Sequence, residues 1–208
     1  RGPFVFDLDD AEVSVDEHWG ALYLRGRNAG FQLEGTAGRL DLDLEDSSVT
    51  VVGGRGGLDG RADRSSVTVN GWEGPVTVEG EEARVTAQSL PSAEDFLTLR
   101  GTGHELTAND VAGALKVDVA AGRVEARSIG GRAILTADRA ADLQLDEVRG
   151  NVELDLSDGS LATLERVAGM VEGRVQGAEL TASGVEEGVD LTGRDAVVSL
   201  SGISQGVR

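Results

Sequence analysis

The chain has 208 residues, a formal net charge of −18, 3% aromatic residues and no cysteine. That acidity excludes a nucleic-acid partner, whose phosphates need a basic surface, and disfavours docking on anionic lipid. Without cysteine there is no disulfide framework and no thiolate metal site.

The 30 glycines against 3 prolines point to many turns and little coil. Lys116 is the only lysine, which reads as coding bias. No segment approaches eighteen consecutive apolar residues, so a signal or membrane anchor would lie outside these residues.

From the first residues onward, an apolar residue is followed two places later by another, the mark of a half-buried strand. The leading members are Phe4, Val13, Leu22, Phe31, Leu40, Val49, Leu58, Val67, Val76 and Val85, each nine residues after the last. After a longer step come Leu97, Leu106, Leu115, Val124 and Ala133, then Leu143, Val152 and Leu161, then Val171, Leu180, Val189, Val198 and Val207. The second inward position is nearly as apolar, with Gly60, Thr163 and Gly173 as exceptions. A nine-residue step turns a 3.6-period helix to its opposite side at every copy, so no helical stripe fits.

Glycine doubles the period. It stands two places before the inward residue at 20, 38, 56 and 74, and again at 113, 131, 150 and 169, while Ala29, Ser47, Ser65 and Ala83 occupy the copies between. An aliphatic at Val111, Ile129, Val148, Val167, Val185 and Ile203 also recurs once per two copies. The expected unit is a coil of eighteen to nineteen residues with two strands and two unlike corners. In one corner, glycine permits a tight turn with positive φ.

Stacked coils of this kind make an all-β, parallel β-solenoid of about eleven coils, one domain over residues 1–208 and roughly 50 Å long at about 4.8 Å per coil. The "QSLPSAED" stretch at 88–95 reads as a loop, because Pro91 cannot donate to a ladder. Single extra residues are expected near Arg139 and Arg166. Phe4 and Phe6 are expected to plug the front of the core. The back, "GISQGVR", is expected to be covered by further residues or by a second copy, a homo-oligomer through the C-terminal end.

Outward positions stack into columns. One column reads Asp7, Arg25, Asp43, Arg61, Glu79, Arg100 and Asp118, alternating in sign, and serves register rather than recognition. The opposite sheet carries Ser14, Gln32, Thr50, Thr68, Thr86, Thr107, Glu125, Gln144, Ala162, Thr181 and Ser199. Around its middle, Ser48, Ser66, Asn70, Gln88 and Asn109 extend a polar, mostly uncharged patch on an acidic rod. Threonine suits any exposed strand. The functional reading is a flat recognition face for a glycan, a cell-wall strand or a protein, through Ser48, Thr50, Ser66, Thr68, Asn70, Thr86, Gln88, Thr107 and Asn109. Ice binding needs paired threonine columns, which are not found.

"GGRGGLDG" at 53–60 resembles the nonapeptides of calcium-binding β-rolls, but their ligand Asp is replaced here by Gly, Ala or Ser in most copies, so calcium is not expected as a fold requirement. No cofactor is expected. His18 and His104 are expected at solvated corners, too far apart for a shared metal. Trp72 is expected in the core, and Trp19 reads equally as packing or sugar stacking. One modest insertion and no convergent acid–base set argue against an enzyme.

The phrase aliphatic-x-Gly-x-aliphatic, V-A-G-A-L at 111–115, I-G-G-R-A at 129–133, V-R-G-N-V at 148–152 and V-A-G-M-V at 167–171, resembles the bacterial β-strand-repeat domain called Toastrack, labelled an adhesin. The likeness is good over the second half and looser over the first. It implies a cell-envelope or extracellular module used in adhesion or envelope-stress sensing, and it supplies no catalytic residues. The alternative is a structural scaffold polymerising end to end, as in bactofilin-type filaments, whose three short strands per turn fit the nine-residue step less well.

Overall fold

In the computed structural model, which describes residues 3–94 and 96–208, every coil contributes one strand to each of two sheets. Both sheets have 11 strands, all parallel, ordered by coil. The leading sheet runs from Phe4–Asp9 through Leu22–Arg27 to Val189–Arg194, and the trailing sheet from Glu12–Asp16 through Gly30–Ala37 to Val197–Ser201. The expected solenoid is therefore present, with coils of about eighteen residues. Alternation turns the apolar residues into the narrow space between the sheets, where Leu22, Leu24, Phe31, Leu33, Val49 and Val51 are all buried.

The corners hold by backbone conformation as much as by packing. Between the two strands of a coil, Asp10, Asn28, Asp46, Arg64 and Glu82 lie at φ of 48–53°, and Gly103 follows at 70°. At the other corner Glu17, Gly35, Gly53, Gly71, Ser89 and Asp110 lie between 48° and 68°. Asp and Asn tolerate this left-handed region better than most residues, but Arg64 and Glu82 do not. Hydrogen bonding between coils continues through these corners and offsets the strain: Asn28 N–H donates to the Glu45 carbonyl at 3.2 Å and Arg64 N–H to the Glu81 carbonyl at 2.8 Å.

The corner glycines fall into two kinds. Gly20, Gly38, Gly56 and Gly74 lie at φ of 127–138°, as expected. Gly131, Gly150 and Gly169 are not at positive φ, which corrects the expectation for that half. They serve close stacking instead: a β-carbon on Gly131 would stand 2.8 Å from the Gly113 oxygen, and one on Gly150 2.7 Å from the Gly131 carbonyl carbon.

The ninth coil corrects the register. Ala162 and Leu164 are buried, Leu161 is 44% exposed, and Thr163 pairs with Gln144 and Thr181 on the outer face. The extra residue sits at the turn Asp158–Gly159, not near Arg166, so the strand enters one residue later than a strict nine-residue count allows. The other extra residue is near Arg139, as expected, where Arg139 and Ala140 both have positive φ. Leu90 ends its strand and residues 91–94 form the loop; Asp95 lies outside the described residues.

His104 corrects a second expectation. It is fully buried in the column that holds Ala29, Ser47, Ser65 and Ala83 in earlier coils. Its Nδ1 accepts the Ala83 N–H at 3.1 Å and its Nε2 lies 2.8 Å from the Arg100 carbonyl oxygen, so the ring carries its hydrogen on Nε2. At the front, Phe6 packs on the core, but Phe4 is 55% exposed and meets His18 edge-on at 5.0 Å. Phe4 is thus no plug: as an edge residue it has neighbours on one side only.

Candidate functional site

Parallel pairing brings the nine sequence-selected residues onto one face of the trailing sheet. Thr50, Thr68, Thr86 and Thr107 stand in direct register in four consecutive coils. Ser48 and Ser66 flank this column on one side, and Asn70, Gln88 and Asn109 on the other. Val52 completes the second flank and is 44% exposed. A strand places outward residues in alternation, so each coil presents three side chains on a nearly flat surface.

The corrected register puts Thr163 in the column in place of Ala162. With Thr163 outward, it reads Ser14, Gln32, Thr50, Thr68, Thr86, Thr107, Glu125, Gln144, Thr163, Thr181 and Ser199, one charge in eleven coils. The residue that sequence reading placed there, Ala162, is part of the core. The missed signal was the turn pair Asp158–Gly159, which adds the residue that moves Thr163 outside.

A groove of about 920 Å³ runs beside this face along the rod, and no sequence motif marks it. Its floor is the small-residue column Ala29, Ser47, Ser65 and Ala83, and it shares Ser48 and Ser66 with the neutral face. The floor binds itself. Ala29 N–H donates to Ser47 Oγ at 3.0 Å and Ser47 N–H to Ser65 Oγ at 3.0 Å. Each hydroxyl then donates to the carbonyl two residues before it, Glu45 or Asp63, at 2.7 Å.

Both arginines of the groove are likewise paired. Arg64 donates from Nε to Asp46 Oδ1 at 2.8 Å and from Nη2 to Glu45 Oε1 at 2.9 Å. The hydrogen bond from Arg64 holds the Asp46 carboxyl below its ordinary range, and the same contacts raise the guanidinium further. Arg84 pairs with Glu105 at 2.8 Å. The groove thus offers hydroxyls and two ion pairs, and Asp10, Glu12 and Glu82 along its wall leave it acidic.

The opposite face behaves as the alternating column requires. Arg25 meets Asp43 at 3.1 Å and Arg100 meets Glu79 at 3.0 Å, whereas Arg61 turns within its own strand to Asp63. These exposed pairs favour the correct register more than they stabilise it. Trp72 is fully buried, as expected, and its Nε1 donates to the Gly56 carbonyl at 2.8 Å. Among the described residues no group of three or more His, Asp or Glu is placed to hold a metal ion. No family model, curated protein or solved structure matches this chain.

Proposed function

We propose that this chain is a non-enzymatic recognition rod of a bacterial cell envelope, meeting its partner with the neutral face of the trailing sheet. The observation that carries the reading is the column from Ser14 to Ser199, with Thr50, Thr68, Thr86 and Thr107 unbroken at its centre, on a chain of net charge −18. An acidic protein keeps a stripe that is uncharged from Ser14 to Thr107 at little cost in stability. Such a stripe lets a polar partner approach without desolvating a charge.

Hydroxyl and amide side chains both donate and accept, which suits a glycan, a cell-wall strand or a protein edge. The groove beside the face runs parallel to it, so a linear partner lying along the rod would touch both. The likeness of V-A-G-A-L and its repeats to the Toastrack domain supports an envelope setting and a role in adhesion or envelope-stress sensing.

Binding to isolated cell walls and to a glycan panel tests the reading. Thr68→Lys with Thr86→Lys should abolish that binding while the circular dichroism spectrum is unchanged. Asp43→Asn and Asp118→Asn, on the other sheet, should leave it intact. Binding that survives the lysine pair would remove the trailing face as the site.

A further inference from the structure

The aromatic side chains are distributed unevenly. Five of the seven fall within the first 31 residues, and those largely exposed among the described residues, Phe4, Trp19 and Tyr23, all belong to the first two coils. Trp72 and Phe31 are buried. A chain that spends so few rings leaves Trp19 56% and Tyr23 41% exposed in one short stretch, Trp19-Gly-Ala-Leu-Tyr23.

Trp19 and Tyr23 stand exposed on either side of the corner at Gly20, whose φ is 134°, with Ala21 half-buried between them. Ladder pairing supplies two unlike rails. On one side, Val5 stands beside Tyr23 and is 69% exposed. On the other, Ala37 stands beside Trp19 and Asp41 beside Tyr23, with Arg39 between them. Arg39 donates to Asp41 at 2.8 Å and reaches Asp59 at 3.4 Å. The Arg55 guanidinium lies 5.8 Å from the indole centroid, so the ring is held along the rod rather than free. A recess of about 370 Å³ opens beside Tyr23, bounded by Val5, Arg25 and Asp41.

We infer that Trp19, Ala21 and Tyr23 form a stacking platform for a short, neutral, β-linked hexopyranose oligosaccharide lying across the second coil. A pyranose ring presents an apolar C–H face to an aromatic ring and hydroxyls at its edge. The platform offers the matching pair: rings with an apolar rail beneath, and a carboxylate–guanidinium rail alongside. Arg39, Asp41 and Asp59 already fix one another, so they lose little freedom on binding. Two rings four residues apart span at most about 13 Å, room for a few sugar units rather than one. A protein partner is disfavoured by size, since a stable interface takes roughly 800 Å² per side and among the described residues of the first two coils the large exposed apolar side chains are Phe4, Val5, Trp19 and Tyr23, set amid charges. Nucleic acid and anionic lipid are disfavoured by the acid surroundings. The site is on a different face from the neutral column and does not depend on it.

Tryptophan fluorescence with cellohexaose and chitohexaose as probes tests this directly, because Trp72 is buried and serves as a silent reference. At least one probe should shift Trp19 emission to shorter wavelength with saturation. Trp19→Ala and Tyr23→Ala should each weaken binding at least tenfold by calorimetry, Trp19→Phe should retain part of it, and all should melt like wild type. The Thr68→Lys, Thr86→Lys pair should have no effect. Failure of the wild-type chain to bind either probe, or binding that survives Trp19→Ala, overturns the platform. Loss in the lysine pair alone would place the sugar on the trailing face instead.

Discussion

Gly26 is bare because Phe31 is large: a β-carbon at 26 would stand 2.6 Å from Phe31 Cε2. Rings also crowd Gly54, where a β-carbon would stand 2.8 Å from Trp72 Cζ3, and Gly101, where it would overlap His104 Nε2, but there the Thr36 and Gly80 carbonyl oxygens stand closer still and φ of 133° and 132° already favours glycine. Three of the bulkiest rings inside this narrow core each sit against a glycine. Where the facing residue is Val49, the column of Gly26 holds Leu44.

This complementarity gives a double-mutant cycle. Gly26→Ala should cost about 1–3 kcal/mol by overpacking. In a Phe31→Leu background the same change should cost well under half of that, measured by urea unfolding. Gly57→Ala is the control, because a β-carbon there meets nothing within 4 Å, and it should fall within about 0.5 kcal/mol of wild type.

Two serines in one corner column should respond oppositely. Ser65 Oγ accepts the Ser47 N–H and donates to the Asp63 carbonyl, whereas Ser160 Oγ is buried without a partner. Ser65→Ala should destabilise by about 1–2 kcal/mol, because a buried N–H loses its acceptor. Ser160→Ala should be neutral or stabilising, since it removes an unpaired hydroxyl. Thermal melts of both variants check the pair.

The Asp46–Arg64 contact sets a sign for acid titration. Because the folded carboxyl is held below its ordinary value, its contribution to stability is present above about 3.9 and is lost as pH falls through the lower, folded pKa. Carboxyl-detected NMR should show Asp46 titrating below a reference aspartate. Arg64→Gln should return it toward the ordinary value, and no change on that substitution would disprove the cause.

The nine-residue recurrence of Phe4, Val13 and Leu22 sufficed for the fold, because a period-two strand with a fixed turn length has few other solutions. What the recurrence hid was local. Thr163 looked like a polar lapse in the core, since a strict count cannot show that Asp158–Gly159 adds a residue before the strand. His104 looked solvated because histidine usually is, yet its position two places before Leu106 is the buried corner slot of Ser47 and Ser65. The left-handed corner columns escaped notice because Asp, Asn, Arg, Glu and Gly all serve there, and the conformation is imposed by hydrogen bonds between coils. The nine face residues were legible as a patch, because parallel stacking turns an eighteen-residue spacing into direct neighbours. The groove beside them was not, because it arises from small floor residues rather than from any motif.

The central claim is that one polar column, with Glu125 its single charge, runs outward through every coil, Thr163 included. The chain has no cysteine, so pairs of spin labels can be placed on it without background. Labels at positions 50 and 163 are six coils apart and should lie about 29 Å from each other. Labels at 32 and 181 are eight coils apart and should lie about 38 Å from each other, at roughly 4.8 Å per coil. Distances that grow by that step, with full labelling at 163, are the predicted result. A cysteine at 163 that resists labelling and destabilises the fold, or distances that do not scale with coil number, would contradict the account.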